Sequence, residues 1–206
     1  MADAEKFWDW TSARYARSPV SDPGAWHRKL DAIASRAGPE GRLLEFGAGT
    51  GSSALMLAPR VGSILSTDIS GKMIEIARAK AREAEGGAAN VTFRQATLSE
   101  VTEGPFDGIV GLNILHLLKD WRGALAQARR LLVPGGFLAL STATIGDHPW
   151  PLRAGIRAGA GLRLLPPLAL FTIAEERAAL SDAGFRITEE WQPRKNAAWF
   201  QMAEAV

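Results

Sequence analysis

The chain has 206 residues, 47% of them hydrophobic and 22% charged, the mix of a globular domain large enough for one good core. It contains no cysteine, which excludes disulfide scaffolds, thiolate metal sites, iron–sulfur clusters and cysteine nucleophiles. A net charge of +2 creates no field that marks a nucleic-acid binder, and no nucleic-acid partner is expected.

Residues 3–16 and 23–37 show helical spacing, with Phe7, Trp8 and Trp10 on the first segment and Trp26, Leu30 and Ile33 on the second. Met1 to Trp8 has no basic patch followed by an apolar run, so no secretory signal is expected. A short apolar run, 42–46, stops at the glycine turn 47–51 and is followed by a helical stretch, 52–59. A second β-type run, 62–67, ends at Asp68 and precedes a long helix over 70–85, with Met73, Ile74, Ala77 and Ala81 on one face. The alternation continues with strands at 91–94 and 106–112, a helix at 121–132 and a strand at 137–141. The tail offers a helix at 173–183, then strands at 185–191 and 197–203 separated by a hairpin-like turn. Strand–helix alternation on this scale predicts an α/β fold: a Rossmann-like, seven-stranded, mostly parallel sheet flanked by helices and closing antiparallel.

Residues 147–171 break the pattern. They hold Trp150, Leu152, Ile156, Leu162, Leu164 and Leu165 with Arg153, Arg157 and Arg163, and no acidic residue separates Asp147 from Glu175. Gly155, Gly159 and Gly161 weaken this segment as an isolated helix and favour a flexible lid; docking on a membrane surface or a partner subunit is the alternative. The expected organisation is one domain over 1–206, with a helical cap (1–39), a core (40–146), a lid insertion (147–171) and a C-terminal helix and hairpin (172–206). The longest uncharged stretch, Leu131 to Gly146, is too short and too broken by Pro134-Gly135-Gly136 to span a bilayer, and a cytoplasmic location is expected.

The glycine turn carries the strongest chemical signal. At the end of the first strand of a parallel sheet, glycines let backbone amides and a helix N-terminus approach a ligand. The spacing is Gly47-x-Gly49-x-Gly51 after Glu45. Ser52 stands where the dinucleotide fingerprint needs glycine, and the Walker Gly-Lys-Ser/Thr is absent, which disfavours nicotinamide, flavin and nucleoside triphosphates.

Leu43-Leu-Glu-Phe-Gly-Ala-Gly-Thr-Gly51 resembles the first motif of the class I S-adenosylmethionine-dependent methyltransferases. Further stretches are similar to that family in the right order: Asp68-Ile-Ser-x-x-Met73, Phe106-Asp107 to Leu118, Arg130 to Gly136, and the turn Ala183-Gly184-Phe185. The resemblance implies S-adenosylmethionine as cofactor, leaving as S-adenosylhomocysteine. It implies Gly47, Ala48, Gly49, Thr50 and Gly51 around the cofactor, Asp68 accepting both ribose hydroxyls, and Glu45 facing the amino and sulfonium end. Asp68 reads otherwise as a helix cap, and Glu45 as a solvated strand-end carboxylate. Ile69, Met73, Leu98 and Asn113 are further cofactor contacts, with helix core the alternative for Met73. Where the family carries an acidic residue toward the adenine amino group, this chain has Thr97, whose hydroxyl can still accept that bond.

The end of the fourth strand, Leu112-Asn-Ile-Leu-His116, lacks the Asn/Asp-Pro-Pro-aromatic cluster of base-methylating relatives. Asp107 and Asp120 have no partners at magnesium-ligand spacing, so no metal is expected. Transfer then rests mainly on holding the nucleophile about 3 Å away and in line. His116 is the candidate general base, with packing between Leu115 and Leu117 the alternative, and His27 and His148 are weaker candidates. Tyr15, the lone tyrosine, reads as a contact to the cofactor's methionine part or to substrate, or as rim packing of an amphipathic helix. Four of the seven tryptophans, Trp8, Trp10, Trp26 and Trp150, fall in the cap and lid, which points to an apolar small-molecule acceptor. Two alternatives stay open: a phospholipid- or membrane-associated methyltransferase, and a non-catalytic cofactor-binding module.

Overall fold

A computed structural model describes residues 2–84, 88–161 and 168–206. In chain order the elements are α1 (Ala2–Arg17), α2 (Pro23–Ala37), β1 (Arg42–Phe46), α3 (Ser52–Leu57), β2 (Ser63–Asp68), α4 (Gly71–Glu83) and β3 (Val91–Gln95). They continue with β4 (Phe106–Leu112), α5 (Trp121–Leu131), β5 (Leu132–Thr142), α6 (Trp150–Gly161), α7 (Ile173–Asp182), β6 (Phe185–Trp191) and β7 (Trp199–Ala205). The seven strands form one sheet in the order β3-β2-β1-β4-β5-β7-β6. Neighbours from β3 through β5 run parallel, and β7 is antiparallel to both β5 and β6. This is the Rossmann-like, mostly parallel seven-stranded sheet that the alternation predicts.

The sheet is covered on both faces because successive strand residues point to opposite sides. Leu44, Ile109 and Leu138 pack into a cluster with Leu125, Ala128 and Leu180 of α5 and α7. Their chain neighbours Leu43, Val110 and Ala139 pack with Ile33, Leu57 and Ile74 of α2, α3 and α4. The helix starts are set by short polar side chains: Asp22 Oδ1 accepts from Ala25 N (3.0 Å), Ser70 Oγ from Met73 N (3.1 Å) and Asp120 Oδ1 from Gly123 N (2.9 Å).

Four differences from the sequence reading have a physical reason. The helix after the glycine turn ends at Leu57 and tightens into a 3-10 turn, Ala58–Arg60, where Pro59 cannot continue the α-helical bonding. β5 begins at Leu132, which pairs with Phe106 before a register shift takes up Pro134 and Gly135. β7 begins at Trp199, because Asn196 turns the hairpin at φ +63° and Ala197 N bonds Arg194 O (3.1 Å). The apolar insertion holds an α-helix, α6, through Gly155 and Gly159. Leu162, Arg163, Leu164 and Leu165 of the insertion, and Glu85 of the expected long helix, lie outside the described residues.

Candidate functional site

The carboxyl ends of β1, β2 and β4 open into a cavity of about 410 Å³, within the range of roughly 300–1,000 Å³ that small-molecule sites occupy. The glycine turn forms its floor through Gly47 and Gly49. Asp68, Ile69 and Met73 line one side, Thr97 and Leu98 continue it, and Asn113 and His116 stand opposite. Helix α1 closes the top with Trp8 and Tyr15; a Cβ on Gly49 would meet Tyr15 Cε1 at 3.6 Å.

Glycine is required where the turn approaches its neighbours. Gly47 has φ +72°, and a Cβ there would lie 2.5 Å from Ile114 Cγ1. Gly51 has φ +75°, and its Cβ would lie 2.7 Å from that of Ala77. The turn is held in place by Asp68, whose Oδ2 accepts from Gly49 N (2.8 Å) and Oδ1 from Ser70 N (2.9 Å). Each carboxylate oxygen has a second lone pair, so Asp68 can hold the turn and still receive two hydroxyls. Ser70 Oγ in turn donates to Asp9 Oδ1 (2.6 Å), and Asp9 also accepts from Lys72 N (3.2 Å), tying α1 over the cavity.

Ten of the predicted site residues meet at this cavity: Tyr15, Gly47, Gly49, Asp68, Ile69, Met73, Thr97, Leu98, Asn113 and His116. Four others do not line it. Glu45 is buried between β1 and β2, where Ser66 Oγ donates to its Oε2 (2.6 Å); burial pushes its pKa up to about 7. Ala48 and Gly51 shape the turn without facing the cavity, and the buried Thr50 Oγ1 accepts from Lys80 Nζ (2.8 Å). The Thr97 hydroxyl donates to Glu100 Oε2 (2.7 Å), and its oxygen accepts the Ser99 hydroxyl (2.9 Å), which leaves at most one lone pair for a ligand.

His116 sits on the 3-10 turn Leu115–Leu117 after β4, and burial pushes its pKa down to about 4. Its Nδ1 is buried without a hydrogen-bond partner, and its carbonyl accepts from Ala169 N (2.8 Å). His27 is exposed on α2 beside Trp26, and His148 borders a separate groove with Thr144, Lys195 and Trp199. Of the four tryptophans expected around the acceptor, only Trp8 lines the cavity. Trp10 is 83% and Trp150 75% exposed, and Trp26 donates to Ser53 Oγ (3.3 Å) on the outer helical layer. Among the described residues no group of three or more His, Asp or Glu side chains could hold a metal ion. Asp107 accepts from Arg42 N (2.8 Å) and Asp120 caps α5, which accounts for both carboxylates.

A family model described as a methyltransferase domain matches residues 44–138, the stretch that runs from the glycine turn's strand to β5. The chain is 33% identical over 160 residues, 72% of its length, to a malonyl-[acyl-carrier protein] O-methyltransferase of Geobacter sulfurreducens, spanning 57% of that relative. It is 31% identical over 129 residues, 59% of its length, to the equisetin synthetase of Fusarium heterosporum, of which it spans 3%. Its fold superposes on magnesium protoporphyrin IX methyltransferase of Synechocystis PCC 6803 bound to S-adenosylhomocysteine (TM-score 0.75, 20% identity), covering 99% of this chain and 100% of that one. Residues 44–138 thus match a methyltransferase domain, and the chain takes the fold of S-adenosylmethionine-binding methyltransferases.

The residues of the cavity fit the family's cofactor. Gly47 and Gly49 bring bare backbone to the cavity floor, Asp68 would receive the ribose hydroxyls on its remaining lone pairs, and Ile69, Met73 and Leu98 would bed the adenine. When bound, S-adenosylmethionine supplies a methyl group on a sulfonium, electrophilic enough for a positioned oxygen, nitrogen or carbon to take.

Two polar residues escaped the sequence reading: Asp9, which ties α1 down, and Lys29 of α2, buried beside β5. Lys29 lies four residues before Ile33 and three after Trp26, on the apolar face of its helix, and that placement was the available signal.

Proposed function

We propose that this methyltransferase transfers the methyl group to the carboxylate oxygen of an apolar small acid, without a metal ion. The carrying observation is the acceptor end of the cavity, where Leu112, Ile114, Leu117, Leu118 and Trp8 surround two polar side chains, Asn113 and His116. A phenol or protonated amine must lose a proton as it is methylated, and a histidine with its pKa near 4 is a weak base for that task. A carboxylate is already ionised at neutral pH and needs no base. His116 then acts as a neutral hydrogen-bonding group: with Nδ1 enclosed, Nε2 is the ring nitrogen left accessible. The Geobacter relative supports this reading, since a malonyl group on a carrier has one ionised oxygen nucleophile, its free carboxylate.

In this reading Asp68 holds the ribose, and Glu45 braces β1 against β2 through Ser66. Thr97 accepts from the adenine edge, and Tyr15 and Trp8 exclude water. The two ends of the insertion meet where Gly146 N bonds Phe171 O (2.9 Å) and Phe171 stacks on Trp121 at 4.2 Å. The test is transfer of labelled methyl from S-adenosylmethionine to matched carboxylic acids, phenols, amines and thiols, followed by mild alkali. Methyl esters release their label as methanol. Label that stays alkali-stable, on amines or phenols alone, sinks the carboxylate reading; absence of transfer to every class favours a cofactor-binding module.

A further inference from the structure

Helix α2 buries a lysine that forms none of the ion pairs found among the described residues. Lys29 is 8% exposed, and its Nζ donates to Ser141 Oγ at 2.7 Å. Asp22, at the start of the same helix, acts on it through its charge, and that carboxylate is engaged in capping Ala25 N. A buried ammonium with one neutral partner is costly, and its retention calls for a use.

Ser141 shows where the effect goes. It is fully buried near the end of β5, beside Leu112 of β4 and Phe200 of β7. An ammonium can only donate, so Ser141 Oγ must accept from Lys29 and its own hydrogen is free to go onward. It goes to Asn113 Oδ1 at 3.3 Å. Asn113 is held from its backbone too, with φ +59° and its N–H on Ser141 O at 2.7 Å. With Oδ1 accepting, the Asn113 Nδ2 group is the end of the amide left over, and it has no protein partner among the described residues. Asn113 lines the cavity.

We propose that Lys29 is a positioning residue that, through Ser141, fixes the Asn113 amide with its Nδ2 donor toward the acceptor, so that the site selects an incoming atom that accepts hydrogen bonds. The direction of the relay is set at its far end by a group with no lone pair. Replacing Lys29 with an apolar residue frees the Ser141 hydroxyl to turn, and with it the amide. This inference rests on the carboxylate reading for the identity of the acceptor, but the relay itself does not.

Two measurements on the full chain separate the two. The Asn113 side-chain amide resonance, assigned by its disappearance in Asn113→Asp, is followed in Lys29→Met and Ser141→Ala. Octanoate and octylamine, matched in chain length, are then titrated calorimetrically into the S-adenosylhomocysteine complex of each protein. The relay is expected to shift the Asn113 resonance in both variants and to weaken octanoate about tenfold, as for loss of one charge-assisted hydrogen bond, while S-adenosylhomocysteine affinity stays put. Lys29→Met with the resonance unmoved overturns the relay, whichever acceptor binds. If Lys29→Met fails to fold, Lys29→Gln, whose side-chain carbonyl can accept from Ser141 and reverse the relay, decides between the same two outcomes through the same resonance. Resonances that shift while octylamine binds wild type as tightly as octanoate support the relay's coupling and overturn the donor-facing selection together with the carboxylate reading.

Discussion

Asp68 joins the glycine turn to helix α4, and its removal gives two separable losses. In Asp68→Ala the N–H groups of Gly49 and Ser70 lose their carboxylate partner, each bond having been about 2.8–2.9 Å long. Stranding a buried donor costs about 1–3 kcal/mol, so the two together set a loss of about 2–6 kcal/mol. Burial already pushes the Asp68 pKa up, so deletion of the charge returns part of that, and a net stability loss of about 2 kcal/mol is expected. In the proposed function the cofactor loses two further charge-assisted bonds to its ribose. At about 1.5–3 kcal/mol each they correspond to roughly 10²–10⁴-fold in affinity. Urea denaturation reads the first loss and calorimetry with S-adenosylhomocysteine the second. Asp68→Asn keeps one acceptor oxygen and should fall between wild type and Asp68→Ala in both. A folded Asp68→Ala that binds S-adenosylhomocysteine within about threefold of wild type refutes the ribose assignment and leaves Asp68 as a structural cap alone.

Two alanine substitutions separate steric closeness from backbone strain. Gly47→Ala meets Ile114 at 2.5 Å and Gly135→Ala meets nothing within 4 Å, although both have φ near +70°. Thermal unfolding should show about 1–2 kcal/mol of loss for Gly135→Ala and clearly more for Gly47→Ala; equal losses contradict the close approach. The fully buried Glu176 receives one hydrogen bond, from Thr142 Oγ1 (2.8 Å), and burial pushes its pKa up to about 7. The folded state therefore holds its proton more tightly than the unfolded chain, and this contribution is present below about pH 4.5 and lost as pH rises to about 7. Its size is on the order of 3 kcal/mol, and Glu176→Gln should flatten the stability–pH curve across that window; an unchanged slope counts against it. His116 acts in the opposite direction, its stabilising neutral form being lost as pH falls from about 6.5 to about 4. For methyl transfer to a carboxylate, kcat/KM should be flat from pH 6 to 8; a limb near pH 6.5 that disappears in His116→Gln restores the general-base role.

Much of the fold was legible because its determinants are local and repeated. Leu43 and Leu44, Ile109 and Val110, and Leu138 and Ala139 each send one side chain to either face, the signature of strands buried on both sides. The glycine turn, Asp68 and Asn113 were legible for a related reason: the carboxyl edge of a parallel sheet gathers strand ends far apart in sequence. Tertiary partners were not legible. Nothing in the sequence distinguishes Trp8, on the cavity wall, from Trp10, 83% exposed, because their separation depends on how Asp9 docks α1 onto Ser70. Glu45 was read against the cofactor because of its place before the turn, yet its side chain goes to Ser66 on the neighbouring strand. The Lys29–Ser141–Asn113 chain joins residues from α2, β5 and the end of β4, and no spacing rule anticipates such a meeting.

The position of β7 also bears on how the molecule is made. It is last of the strands in sequence but lies between β5 and β6, so Phe137 through Thr142 keep an open edge until Trp199–Glu204 arrive to pair with them. During synthesis the cofactor half of the sheet can assemble while that apolar edge waits, a template for pairing with another chain. Chaperone demand and aggregation at high expression should therefore concentrate on this one seam until β7 has paired.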